Sequence, residues 1–130
     1  MRGLTILYSP DKQGNGGTVD GINFPMGLSS GSNNGSWSNG VVPDGKNGLK
    51  FVAPGDGTWT VYALPGSGKT FYMGNAESSV SLPGTNVAVK QDIAVEKGKT
   101  YYATVAGSKG NFLGSKFTAA VEGEDAVEVY

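Results

Sequence analysis

Cysteine and histidine are both absent from the 130 residues. The side chains that most often supply a nucleophile, a general base or a transition-metal ligand near neutral pH are therefore missing. What remains is oxygen chemistry and aromatic surface. The most tightly clustered acids are Glu122, Glu124 and Asp125. A paired-carboxylate hydrolase needs a shielded acid with a raised pKa, and a tail is a poor place for one. Asp11, Asp20, Asp44 and Asp56 stand near glycines in turn-like stretches. There they would either bond the adjacent backbone or lend loop oxygens to calcium, without the spacing of an EF-hand loop. Serine is plentiful but has no histidine partner. Gly66-Ser67-Gly68-Lys69-Thr70 has the ending of a phosphate-binding loop, but Ala63 stands where that motif requires glycine. Phe71-Tyr72-Met73 also continues as a strand where a helix is needed, so a hairpin turn is expected instead. The expectation is a chain without catalytic residues and without a cofactor.

Aromatic surface is the remaining route to recognition. Trp37, Tyr62, Tyr72 and Tyr102 are the candidate ligand-binding residues. Exposed rings would stack on sugar rings or pack on a protein partner, and the competing reading is cross-strand packing that only stabilises a sheet. Tyr101 and Tyr102 are adjacent, so on a strand they face opposite sides, one towards the core and one towards the surface. Trp37 lies in an irregular stretch, 25–48, rich in Ser, Asn and Gly. It reads either as the apolar anchor of a long surface loop or as a presented recognition residue.

The elements that must position these rings are strands. Leu49, Phe51 and Ala53 alternate with Lys50 and Val52, and Pro54-Gly55-Asp56-Gly57 ends the run. Trp59, Val61 and Ala63 alternate with Thr58, Thr60 and Tyr62 before Pro65-Gly66-Ser67-Gly68, and Phe71 and Met73 follow. Period-2 alternation between turn clusters marks half-buried antiparallel strands, here read as a meander from Leu49 to Met73. Further strands are expected at 4–8, 18–24 (with a turn or bulge at Asp20-Gly21), 78–82, 87–95, 100–106, from Phe112 through Phe117 and Ala119 to Val121, and around Val127 and Val129. Residues 12–17 read as a flexible glycine-rich loop. Val87, Val89, Ile93 and Val95 share a face that Gln91 interrupts. About nine short strands at roughly ten-residue spacing, with no helix of useful length and no repeat, predict an antiparallel β-sandwich of one domain over residues 1–130. An N-terminal arm (1–17) and a C-terminal tail (122–130) would flank it.

Composition agrees. Glycine contributes 22 residues and the charged fraction is 16%, low against about 25% in typical soluble domains. With 10 basic and 11 acidic residues there is no basic stripe for nucleic acid. No apolar run approaches the roughly 20 residues of a membrane helix. The N-terminal residues lack the longer apolar run and small-residue cleavage site of a signal peptide.

The segment from Gly48 to Leu64, GLKFVAPGDGTWTVYAL, together with Lys97-Gly98-Lys99-Thr100-Tyr101-Tyr102, resembles strand pairs of jelly-roll modules. It is similar to the galactose-binding-like domains attached to carbohydrate-active enzymes. It also resembles small glycine-rich sandwiches of bacteriophage virions, such as head decoration proteins and fibre domains. The resemblance implies a jelly-roll-like sandwich and no particular ligand residues. Two functions follow as expectations. The first is a virion structural protein, made in the host cytoplasm, whose partners are capsid or other virion subunits or further copies of itself. Its 4–8 arm or 126–130 tail would add to a neighbour's sheet. The alternative is a carbohydrate-binding module in which surface aromatics stack on a glycan and loop carboxylates bond hydroxyls or calcium.

Overall fold

The computed structural model describes residues 1–7, 12–31 and 33–120, and the backbone of Val127–Val129. Two antiparallel sheets pack face to face. The strands are β1 (Leu4–Leu7), β2 (Lys12–Val19), β3 (Ile22–Ser29), β4 (Gly48–Val52), β5 (Gly57–Ala63), β6 (Thr70–Gly74), β7 (Ser79–Pro83), β8 (Val89–Val95), β9 (Thr100–Ala106), β10 (Phe112–Ala119) and β11 (Val127–Val129). One sheet runs β1-β4-β9-β6-β7. The other runs β2-β3-β10-β5-β8, with β11 on β10. The chain changes sheet at almost every connection, and only β2–β3, β6–β7 and β10–β11 are neighbours in both sequence and space. The expected all-β sandwich is the fold; the meander within it is not. β4, β5 and β6 alternate between sheets, and the turn at Gly66–Lys69 links two sheets rather than closing a hairpin.

The alternating apolar sets meet between the layers. Leu49, Phe51, Trp59, Val61, Ala63, Phe71, Met73, Ala103, Val105, Phe112 and Phe117 form one buried cluster. Phe51 stacks on Trp59 with ring centroids 4.9 Å apart and meets Phe117 at 5.8 Å. The Trp59 indole N–H donates to the Ser115 hydroxyl at 2.7 Å, so the one polar atom of the ring is satisfied inside the core. Gln91, where the apolar face of β8 is interrupted, is buried and its amide donates to the Phe71 carbonyl at 3.4 Å.

The stretch expected as a flexible loop, 12–17, is strand β2, paired from Lys12↔Ser29 to Val19↔Ile22. Its glycines serve close approach. A Cβ at Gly14 or Gly27 would strike the Asn111 side chain, and one at Gly16 would strike the Phe24–Pro25 backbone. β3 likewise extends through Pro25 to Ser29, inside the stretch read as irregular. Between them Asp20 (φ 53) and Gly21 (φ 73) form the two-residue turn of a hairpin. Neither terminus is a free arm among the described residues. β1 pairs with β4 from Leu4↔Phe51 to Leu7↔Gly48, and the backbone of β11 pairs with β10 from Lys116↔Val129 to Thr118↔Val127. Both segments therefore lie within the chain's own sheets, β1 as the edge strand of the five-stranded sheet. Tyr8, residues 121–126 and Tyr130 lie outside the described residues, and with them Val121, Glu122, Glu124 and Asp125.

Candidate functional site

The outer face of the five-stranded sheet gathers most of the sequence candidates. On β9, Tyr101, Ala103 and Val105 point into the core, so Tyr102 and Thr104 point out. Register places Tyr102 opposite Lys50 of β4 and Gly74 of β6, and Thr104 opposite Tyr72. Tyr102 and Tyr72 are thus diagonal neighbours on one face, about 7–8 Å apart at ordinary sheet spacing. Gly74 brings no side chain to cover Tyr102. Tyr101, its sequence neighbour, is buried and its hydroxyl accepts the Glu96 amide at 2.9 Å, so the pair divides between core and surface as alternation requires.

The segment between β3 and β4 folds back over this face. Gly35 bridges to Asn47 and to Ala106, its amide donating to the Ser108 carbonyl at 2.7 Å and its carbonyl accepting from Gly107 at 3.0 Å. The Thr104 hydroxyl donates to the Asn47 carbonyl at 2.8 Å. Trp37 stacks on Tyr72, centroids 5.3 Å apart and rings 4° from parallel. Trp37 is half-buried, and this stack fastens the loop to the sheet. Ser38 and Val41 exchange backbone hydrogen bonds at 2.9 and 3.2 Å around Asn39 (φ 49) and Gly40 (φ 90). That is the Asn-Gly turn whose positive φ values suit a two-residue hairpin. Its tip abuts the backbone of Asn75 and Ala76.

Two recesses result, with the half-buried Tyr102 shared between them. One, of about 150 Å³, lies between β4 and the 42–46 segment and is lined by Leu7, Val42, Pro43, Asp44, Lys46, Lys50 and Tyr102. The other, of about 330 Å³, is lined by Gly40, Val41, Asn75, Ala76, Glu77, Lys99, Thr100 and Tyr102. Asn75 shapes this second wall. Its side-chain oxygen accepts the Glu77 and Ser78 amides, both at 3.0 Å, and its amide group donates to the Thr100 carbonyl at 3.3 Å. Lys99 reaches Glu96 at 2.7 Å and Glu77 at 3.1 Å. Those bonds, to Glu96 first and then Glu77, raise its pKa above the ordinary lysine value of 10.5. A raised lysine pKa stabilises the fold while the group is charged in both states, and the contribution fades as pH climbs past the ordinary value. The melting-temperature gap between the protein and a Lys99→Met variant should therefore be small but steady near pH 7 and close above pH 10.5. A gap unchanged at high pH would show that the variant loses packing rather than charge.

Tyr62 does not join the others. It lies on the outer face of the opposite sheet, 3% exposed, beneath Phe24 at 5.1 Å and with the Lys116 ammonium 6.0 Å from its ring. It packs and presents no free platform. Three of the four turn aspartates named for calcium stand apart from one another. Asp20 pairs with Lys90 at 2.7 Å, Asp56 accepts the Lys97 amide at 2.9 Å, and Asp44 stands at the first recess. Among the described residues no three metal-ligating side chains gather. Asp11 lies outside them.

Sequence reasoning named the rings and, among the turn carboxylates, Asp44, but missed Lys46, Lys50, Glu77 and Lys99 around them. Lys50 was legible as an outward position between Leu49 and Phe51. The others reach the site through the crossover (Lys46), the β6–β7 turn (Glu77) and the β8–β9 turn (Lys99). No family model matches the chain, and no curated protein matches it. Among solved structures, it is similar to a chain described under "The complexity of the Ruminococcus flavefaciens cellulosome reflects an expansion in glycan recognition". That chain is 16% identical, with a TM-score of 0.50, over 92% of this chain and 83% of that one. At that identity the likeness establishes a common fold.

Proposed function

We infer that the protein is a non-catalytic glycan-binding module whose site is the loop-roofed outer face of the five-stranded sheet. The observation that carries this reading is Tyr102, a half-buried ring flanked by two recesses lined with Asp44, Lys46, Lys50, Asn75, Glu77 and Lys99. An apolar ring face beside convergent donors and acceptors matches the two surfaces of a pyranose, the C–H faces and the hydroxyl rim. Glycan recognition in the work that describes the structural neighbour supports the same reading. The virion reading takes second place, because the Tyr102 face and the structural neighbour both support a glycan instead. Among the described residues no acid is placed for catalysis. The side chains of Asp20, Asp44, Asp56, Glu77, Asp92 and Glu96 are all exposed, and a general acid needs shielding from water.

The test is affinity electrophoresis against a panel of plant and microbial polysaccharides, followed by calorimetry on oligosaccharides of any that retard the protein. Tyr102→Ala should weaken binding about tenfold or more, the worth of a lost stacking partner and its buried area. Its melting temperature should stay within a few degrees of the parent, because the ring is outside the core. Retardation unaffected by Tyr102→Ala would move the site elsewhere, and no retardation by any polysaccharide would end the glycan reading.

A further inference from the structure

We propose that the smaller recess selects a saccharide bearing an anionic group, a uronate carboxylate or a sulfate, which it holds between Lys46 and Lys50 beside the Tyr102 ring. This rests on the glycan reading and adds the substrate class. The two recesses differ in charge. In the larger one, the Lys99 ammonium is already committed to Glu77 and Glu96, so that wall offers a neutralised cation. In the smaller one, Lys46 and Lys50 line the same 150 Å³ space. Among the described residues neither forms an ion pair. Among the described residues the one acidic group there is Asp44, exposed at the 44–45 turn, which sets two positive charges against one negative. Lys50 is fixed in place by its strand and stands directly across from Tyr102 in the β4–β9 register. Lys46 is held by its amide's bond to the Pro43 carbonyl at 3.2 Å. A sugar ring stacked on Tyr102 would thus bring a ring substituent within reach of two ammonium groups. A charged group there gains charge-assisted hydrogen bonds that a hydroxyl does not. The size fits one substituent rather than a whole ring, since a drug-sized pocket starts at about 300 Å³.

The experiment is calorimetry with hexagalacturonate, its fully methyl-esterified form, a sulfated galactan hexasaccharide and cellohexaose, at low and at 0.5 M salt (roughly a 4–5 Å screening length). The expected result is binding to one of the two anionic oligosaccharides, about tenfold or more tighter than to the neutral ones. High salt should weaken it, as should Lys50→Met and, separately, Lys46→Met, while Lys90→Met, on β8 of the opposite sheet, should leave it unchanged. Preference for galacturonate assigns the carboxylate, and preference for the galactan assigns the sulfate. Equal affinity for charged and neutral oligosaccharides, unmoved by either lysine variant, would overturn the anionic assignment and leave glycan binding standing. Binding to none of these four, with no polysaccharide retarding the protein, would overturn both.

Discussion

Replacing Trp59 with alanine should lower the unfolding free energy by about 3–5 kcal/mol, the usual cost of truncating a fully buried large aromatic. For a domain of this size that corresponds to a fall in melting temperature of roughly 10–20 °C. The ring is 0% exposed and sits where the two sheets meet, stacked on Phe51. Its removal opens a void that β-strands tied into two ladders cannot collapse to fill. It also removes the donor to Ser115, whose hydroxyl then keeps only a long contact of 3.4 Å to the Met1 sulfur. Trp59→Phe separates the two losses. It keeps most of the stacking and forfeits the hydrogen bond, so its cost should be nearer 1–2 kcal/mol. Equilibrium urea unfolding of the three proteins measures both differences. An alanine variant within 1 kcal/mol of the parent would show that the two sheets do not depend on this contact.

That core was readable in the sequence because burial in a sandwich imposes period 2. Leu49, Phe51, Trp59, Val61, Phe71 and Met73 were all assigned inward by alternation alone, and all are buried. The same periodicity is silent on which sheet a strand joins. A run such as 49–53 alternates identically whether Pro54–Asp56 closes a hairpin or carries the chain across to the other layer, so β4, β5 and β6 read as a meander although they are not. Glycine misled for a related reason. At 12–17 it signalled flexibility, whereas Gly14 and Gly16 make room for Asn111 and for the Phe24–Pro25 backbone, partners far along the chain or across a strand. The candidate site divides along the same line. Tyr102 and Tyr72 were visible because outward strand positions follow from inward ones. Tyr62 is outward too, and only the tertiary placement of Phe24 and Lys116 shows that it is covered. Lys46 and Asp44 reach Tyr102 through a crossover whose path no local pattern encodes.

That crossover is fastened near its ends by Gly35 and Asn47 and in its middle by the Trp37 stack and the Ser38–Val41 turn, which makes Gly40 the residue through which stability and recognition can be pulled apart. Gly40→Val should leave the sandwich folded but detach the loop from the sheet. At φ 90 a β-branched residue is strained, by about 1–3 kcal/mol for such backbone outliers. Its Cβ would in addition run into the backbone of Asn75 and Ala76, which has no flexible end to yield. The sandwich core has no share in this turn, so the strain is relieved most cheaply by breaking the Ser38–Val41 pairing and unstacking Trp37 from Tyr72. Three readouts should then move together. The Ser38 and Val41 amides should lose hydrogen-exchange protection, Trp37 fluorescence should shift to the red, and glycan affinity should fall as both recess walls, Val41 and Val42–Lys46, leave Tyr102. Amides of Phe51, Val61 and Ala103 should keep their protection. Asn39→Gly is the control, since glycine accepts φ 49 without strain and should leave all three readouts in place. If Gly40→Val frees the loop and binding persists at the parent affinity, then the loop roofs the sheet without contributing to recognition, and Tyr102 with its strand neighbours is the whole of the site.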